Sequence, residues 1–195
     1  MRVFVGLAPD NTFLENLFKN IAPLKEEFPE FRWLSEDTLH ITLAFIGEIQ
    51  AGILPQIIKA SGIAAGCKKI PAVTGKLRTL PGGKSPNVLA LEIDRGGNEI
   101  ASLASGIACN LEAHGVVFDG NRNRKFLPHI TIARRINGKI PANEIHLNVT
   151  KGVFGTVNVY ESKLSKHGAC YSALASFQLM EPFQNPVSFG KDSMA

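Results

Sequence analysis

Hydrophobic and polar positions follow two different periods along this chain. Runs that are apolar throughout, or apolar at every second position, predict β-strands, and apolar residues at every third or fourth position predict helices. Helices are predicted from residue 12, over 53–65, and from 96–97 to a C-terminal cap at Gly115. Strands are predicted over residues 3–7, 39–47, 73–80, 87–94, 129–135, 153–164 and 169–179. This mixture predicts an α+β fold.

The first predicted helix starts in a turn-forming sequence. Glu15 follows Thr12 by three residues, so these two residues can form a capping box at the helix start. Apolar residues then recur at helical spacing and form one face, which consists of Leu14, Leu17, Phe18, Ile21 and Leu24.

The order of elements occurs twice. A strand at 3–7, a helix and a strand with His40 are followed by a strand at 89–93, a helix and a strand with His129. A repeat of this length predicts two similar lobes rather than a solenoid. We expect each lobe to be an antiparallel-rich sheet with helices outside, the two sheets to be related by a pseudo-two-fold axis, and the two histidine strands to line a central cleft. The expected organisation is one domain over residues 1–195, with about 185–195 as a loose tail.

The composition is that of a globular protein. Hydrophobic residues make up 45% and charged residues 19%, which excludes intrinsic disorder. No apolar run reaches the ~18 residues of a membrane-spanning helix, so no membrane association is expected.

Three widely spaced cysteines without a CxxC pair disfavour a disulfide framework or a zinc site and favour a cytoplasmic protein. The net charge of +4 favours a short phosphate-bearing partner over a long duplex, and nothing indicates more than a monomer.

Two nearly identical tetrapeptides carry the candidate chemistry. They are His-Ile-Thr-Leu at 40–43 and His-Ile-Thr-Ile at 129–132. Because side chains alternate along a strand, His40 shares a face with Thr42, and His129 shares a face with Thr131. One histidine in a strand is more often a structural residue. Two matching motifs at equivalent points of a repeat favour a shared site instead.

Two imidazoles suit general acid–base catalysis. Since free imidazole titrates near pH 6.5, one ring can be neutral and the other protonated at physiological pH. Such a pair can take a proton from an attacking oxygen and give one to a leaving oxygen. Threonine hydroxyls and a nearby arginine can donate to the non-bridging oxygens of a phosphoryl group. A 2′,3′-cyclic phosphate suits these groups, and no metal or cofactor is expected.

The motifs resemble those of the two-histidine phosphoesterase superfamily, in particular its LigT-like branch of RNA 2′,3′-cyclic phosphodiesterases, also called 2′-5′ RNA ligases. The resemblance covers most of the chain and rests on residues 2–7, 39–47, 126–134 and 161–164, followed by Gly168 and Tyr171. It implies a two-lobed fold with a water-filled cleft. It also implies hydrolysis of RNA or nucleotides with a 2′,3′-cyclic phosphate end to 2′-phosphates.

The resemblance also implies roles by position. His40 and His129 would be the catalytic pair, and Thr42 and Thr131 would bind the phosphate. Phe45 would stack on a base or ribose, and Arg134 would contact the phosphate. Which histidine is the base stays open.

Two of these residues conflict with strict alternation along their strands. Counting from His129 puts Arg135 on the cleft face, unless a bulge or the strand end intervenes. We favour Arg134 and keep Arg135 as the alternative. Phe45 alternates onto the apolar face, where core packing is its alternative role.

Other residues and functions stay open. The basic residues Arg122, Arg124 and Lys125 either guide RNA or form a solvated loop. His114 is interpreted as structural, His146 and His167 as surface residues, Trp33 as core or cleft rim, and residues 81–85 as a hairpin turn. The alternative functions are 2′-5′ RNA ligation as the main direction, a non-catalytic RNA- or nucleotide-binding module, and a cyclic phosphodiesterase for small nucleotides.

Overall fold

The computed structural model describes residues 1–80, 87–118, 126–135, 145–165 and 168–181. Within these ranges the chain forms three α-helices and eight β-strands, so the predicted α+β class is confirmed. The expected tail at 185–195, the turn at 81–85, His167, and the basic residues Arg122, Arg124 and Lys125 lie outside the described residues.

The elements follow the predicted order with small changes in their ends. The strands are β1 (Arg2–Pro9), β2 (Phe31–Trp33), β3 (Ile41–Glu48), β4 (Ile70–Leu80), β5 (Val88–Arg95), β6 (His129–Arg135), β7 (Lys151–Ser165) and β8 (Gly168–Gln178). The helices are α1 (Asn11–Glu27), α2 (Leu54–Ser61) and α3 (Gly97–Ala113). The predicted second helix is shorter than expected, because a 3₁₀ segment over Gly62–Gly66 follows it.

The strands form one continuous sheet, whereas two separate sheets were expected. Its order is β2-β6-β5-β4-β7-β1-β3, and β8 pairs with β7. The first residues of β7 pair with β4, and the rest of β7 pairs with β1 and β8. This long strand therefore joins a group of four strands that contains β6 to a group of three strands that contains β3.

The helices cover the apolar face of the sheet. α1 packs against β7, whereas α3 packs against α2 and contacts β3, β4 and β5. The apolar faces of α1 and α3 are fully buried at Phe13, Leu17, Ile21, Ile100, Ile107 and Leu111. Burial of apolar area of this kind is the main stabilising contribution in a core. It also leaves the opposite face of the sheet for polar side chains.

The ends of two helices differ in how well the sequence predicts them. The carboxylate of Asp10 accepts the N–H of Phe13 at 2.7 Å and caps α1, so the capping box of Thr12 and Glu15 is wrong. Gly115 has a φ of +73° just beyond α3, which agrees with its predicted place at the helix end.

None of the helices in the described part of the chain is long and apolar enough to cross a membrane.

Candidate active site

The two histidine motifs lie on strands that touch. His129 is the first residue of β6, and His40 directly precedes β3. β3 and β6 contact each other. The charges of His129 and Arg134 both act on the imidazole of His40. The structure therefore brings three predicted site residues into one region.

Both imidazoles are held by the backbone in the same way. Nδ1 of His40 lies 2.8 Å from the carbonyl oxygen of Thr38, and Nδ1 of His129 lies 2.8 Å from the carbonyl oxygen of Leu127. Because a carbonyl oxygen only accepts hydrogen bonds, Nδ1 carries a proton and donates it in each ring. Nε2 is therefore the atom that can exchange a proton with a substrate in both motifs.

His40 is held in its neutral form. Its pKa is lowered from 6.5 to about 4, with burial as the largest cause. The hydrogen bond to Thr38 raises the pKa, whereas the charges of His129 and Arg134 lower it. Nε2 of His40 lies 3.1 Å from the hydroxyl of Thr42. At pH 7 this nitrogen is unprotonated, so it accepts and the hydroxyl donates.

An aromatic cluster, formed by Phe4, Tyr160 and Tyr171, buries the imidazole of His40. Its ring centre lies 4.7 Å from that of Phe4, 5.3 Å from that of Tyr171 and 5.8 Å from that of Tyr160. The amide of Asn158 donates to the hydroxyl of Tyr160 at 2.8 Å and fixes the position of that ring. The low polarity of these rings explains why burial disfavours the charged imidazole.

Gly6 leaves room for this packing. It pairs with Thr42 across β1 and β3. A Cβ at Gly6 would lie 3.1 Å from Cδ2 of His40 and 3.1 Å from Cε2 of Tyr160, closer than most Cβ contacts. A side chain at this position would therefore push the imidazole or the phenol ring aside.

β3 contains a bulge directly after the motif threonine. Thr42 pairs with Gly6, and Ala44 pairs with the adjacent Val5, so Leu43 is an extra residue on β3. Leu43 and Ala44 are both buried, which breaks the alternation of buried and accessible side chains.

β6 contains the same irregularity at the equivalent position. Thr131 pairs with Ala90, and Ala133 pairs with the adjacent Leu89, so Ile132 is the extra residue. Ile132 and Ala133 are both buried, whereas Thr131 is half-buried on the face of His129. The two motifs thus share a local backbone shape as well as a sequence.

The bulges explain why Phe45 and Arg134 depart from strict alternation. Each bulge turns the fifth residue after the histidine, Phe45 in β3 and Arg134 in β6, towards the face of the histidine. Phe45 is 44% exposed, so its alternative role in the core is wrong. Arg134 is exposed and lines a pocket next to His40. The side chain of Arg135 lies outside the described residues.

Phe45 already carries a cation on its ring. The guanidinium carbon of Arg2 lies 5.0 Å from the ring centre. An exposed ring that stacks with a planar cation can also stack with a planar base.

A pocket beside His40 contains residues that sequence reasoning did not assign to the site. Arg32, Trp33, Thr38, Arg134 and Tyr171 line it. The indole N–H of Trp33 donates to the carbonyl of Phe28 at 3.3 Å. The signal that could have found Arg32 is the short apolar–polar alternation over residues 31–33, which forms the unpredicted strand β2.

The surroundings of His129 are more polar. Glu92 pairs with His129 across β5 and β6, and its carboxylate forms an ion pair with Arg78. Sequence reasoning missed Glu92, because a charged residue near a strand end resembles any other exposed position.

The remaining candidate residues lie apart from this region or are structural. Nδ1 of His114 donates to the carbonyl of Asn110 at 2.8 Å at the end of α3, in agreement with a structural role. His146 is exposed, as predicted. Within the residues described, no cluster of three or more His, Cys, Asp or Glu could hold a metal ion.

Comparisons with known proteins agree with this geometry. A family model described as LigT like Phosphoesterase matches residues 8–90. The chain is 27% identical over 156 residues to an Aquifex aeolicus (strain VF5) protein named RNA 2′,3′-cyclic phosphodiesterase, covering 76% of this chain and 81% of that protein. A Thermotoga maritima protein of the same name is 26% identical over 140 residues, covering 69% of this chain and 70% of that protein.

The fold is also similar to a solved structure. E. coli LigT in its apo form superposes with a TM-score of 0.69 at 18% identity, covering 91% of this chain and 96% of that chain. Family model, relatives and paired motifs all resemble the two-histidine phosphoesterases. Within that class, the similarity is to the LigT-like branch.

Proposed function

We propose that this protein is an RNA 2′,3′-cyclic phosphodiesterase that opens the cyclic phosphate and leaves a 2′-phosphate. The observation that carries the proposal is the matched pair of imidazoles, each with Nδ1 bonded to a backbone carbonyl, which leaves Nε2 as the nitrogen that exchanges protons. Both curated relatives bear the name of this activity. The RNA or nucleotide end is the proposed partner.

The two imidazoles supply both proton transfers of the hydrolysis. The unprotonated Nε2 of one ring takes a proton from water as its oxygen bonds to phosphorus. The protonated Nε2 of the other ring gives a proton to the ribose 3′ oxygen as the P–O3′ bond breaks. The products are a 3′ hydroxyl and a 2′-phosphate, and the rings have exchanged protonation states. If the 5′ hydroxyl of a second RNA attacks phosphorus in place of water, the same two proton transfers form a 2′-5′ phosphodiester and free the 3′ hydroxyl, which is the ligation reaction.

Three further groups act on the phosphate in this proposal. When the phosphate binds, the hydroxyl of Thr42 turns from Nε2 of His40 to a non-bridging oxygen, and the hydroxyl of Thr131 donates to the same group. The guanidinium of Arg134 stabilises the negative charge that develops there. Phe45 serves as the stacking surface for the base or ribose.

All proton transfers and charge stabilisation are thus assigned to side chains, and we propose that the reaction needs no metal ion or cofactor. We further propose that residues 1–195 act as a single two-lobed domain, as a monomer, in the cytoplasm. The uneven number and wide spacing of the cysteines support a reducing compartment.

The test is hydrolysis of a short RNA with a 2′,3′-cyclic phosphate end in the presence of EDTA. We expect the rate to be the same with and without EDTA and the product to carry its phosphate on the 2′ oxygen, as read by phosphorus NMR. A rate that EDTA abolishes and added Mg²⁺ restores would overturn the metal-independent mechanism. A 3′-phosphate product would overturn the assignment of the broken bond.

A further inference from the structure

Two arginines lie side by side on neighbouring strands next to the site. Arg32 of β2 pairs directly with Arg134 of β6. Side chains of directly paired residues project from the same face, and like charges at such positions destabilise a sheet. Neither guanidinium has a carboxylate partner in an ion pair among the described residues. An anion bound between them would remove this repulsion.

The pocket that contains both arginines has the size and lining for a phosphate group. Besides the two guanidiniums it is lined by Trp33, Thr38 and Tyr171, and none of the described acidic residues lines it. Its volume is about 100 Å³. Pockets that enclose a whole small organic ligand are larger, roughly 300–1,000 Å³. A phosphate group is therefore a better fit than a whole nucleoside.

The pocket extends beyond the reacting phosphate. Thr38 lines the pocket, and its carbonyl accepts from Nδ1 of His40, whereas the reacting phosphate must approach Nε2, which faces Thr42. Of the two guanidiniums in the pocket, that of Arg134 is assigned to the reacting phosphate, which leaves Arg32 for a second one.

We propose that Arg32 binds a second phosphate of the substrate, namely the one on the 5′ oxygen of the nucleotide that carries the cyclic end, while the adjacent Arg134 contacts the reacting phosphate. This inference rests on the proposed function. In an RNA that group is the diester to the preceding nucleotide, and in a mononucleotide it is a terminal monoester. The guanidinium of Arg32 suits either group, because planar N–H donors bind phosphate oxygens two at a time.

The experiment compares three substrates that differ only at the 5′ oxygen. They are adenosine 2′,3′-cyclic phosphate with a free 5′ hydroxyl, the same compound with a 5′-phosphate, and the dinucleotide in which a second adenosine esterifies that phosphate. We expect kcat/KM for the 5′-phosphorylated compound to exceed that for the 5′-hydroxyl compound by about tenfold or more, as for a hydrogen bond between charged groups. In Arg32→Gln this ratio should fall to near one.

Arg95→Gln is the matched control. It removes the same charge from the exposed end of β5, about 23 Å along the strand from the residue that pairs with Arg134. We expect this variant to keep the wild-type ratio. A wild-type ratio near one, or an unchanged ratio in Arg32→Gln, would overturn the proposal.

The dinucleotide distinguishes the two sources of the phosphate. If the pocket recognises the diester of an RNA, the dinucleotide will keep the advantage of the 5′-phosphorylated compound. If it recognises a terminal monoester, the dinucleotide will lose that advantage.

Binding can also be measured without turnover. Trp33 is the only tryptophan of the chain and lines the pocket, so its fluorescence reports on occupancy. Adenosine 5′-monophosphate should change the emission of the wild type and not that of Arg32→Gln, whereas adenosine should change neither. If this response appears but no cyclic substrate is hydrolysed, the second phosphate site stands and the proposed function fails. If hydrolysis occurs without this response or the substrate preference, only the second site fails.

Discussion

His40 and His129 have the same motif but different surroundings. The aromatic cluster buries His40 and, with nearby positive charges, lowers its pKa to about 4. Glu92 lies opposite His129 on the adjacent strand. The backbone carbonyls fix the same proton on Nδ1 in both rings, so the environment rather than the tautomer distinguishes them.

The low pKa of His40 makes the stability of the protein depend on pH. In the unfolded chain a histidine titrates near pH 6.5, whereas His40 in the folded protein stays neutral down to about pH 4. Between these values the unfolded state binds a proton that the folded state does not, so stability falls as the pH falls from about 6.5 to 4. In His40→Gln this contribution should be absent.

The measurement is the free energy of urea unfolding of both proteins at several pH values from 7 to 4.5. We expect the wild type to lose more stability than His40→Gln over this range. Parallel curves for the two proteins would contradict the assigned shift in the pKa of His40.

The side chains of β3 and β6 depart from the strict alternation that the sequence pattern predicts. Alternation correctly places the histidine and threonine of each motif on one face, but it fails at the residues that follow. The cause is one extra residue directly after the threonine of each motif, Leu43 in β3 and Ile132 in β6. A bulge depends on how two strands pair, and a single strand's sequence of buried residues does not contain that information.

The bulge in β6 leads to a test with two neighbouring arginines. Arg134→Gln should lower kcat/KM for the cyclic substrate by about tenfold to a hundredfold, because it removes a charged hydrogen-bond donor from the site. Arg135→Gln should stay within about twofold of the wild type, since the proposed function gives the phosphate contact to Arg134 alone. The measurement is steady-state kinetics on the 5′-hydroxyl cyclic phosphate. A larger loss in Arg135→Gln than in Arg134→Gln would contradict the assignment.

At the scale of the whole molecule, the sequence repeat predicts the fold better than it predicts the connection between the halves. The strand–helix–strand order, the ends of β6 and the positions of both motifs agree with the structure. The joining of both halves into one sheet depends on the pairing of β4 with the first residues of β7. These segments are far apart in sequence, so their local patterns do not predict the contact.

Local sequence patterns also predict only part of the site. The motif residues could be found because the chain contains them twice. The aromatic cluster comes from β1, β7 and β8, and Arg32 comes from the three-residue strand β2. Each of these side chains resembles an ordinary strand residue until the sheet brings it next to His40.

The central claim is that the two imidazoles act as one base and one acid. The most direct measurement is hydrolysis by wild type, His40→Ala and His129→Ala of two substrates, the ordinary 2′,3′-cyclic phosphate and its analogue with sulfur in place of the 3′ oxygen. A thiolate leaves without being protonated, so the analogue does not need the general acid. We expect both variants to lose at least about a hundredfold in kcat on the ordinary substrate. The analogue should restore the activity of one variant and not of the other. Rescue of neither variant, or wild-type activity in either variant on the ordinary substrate, would contradict the account.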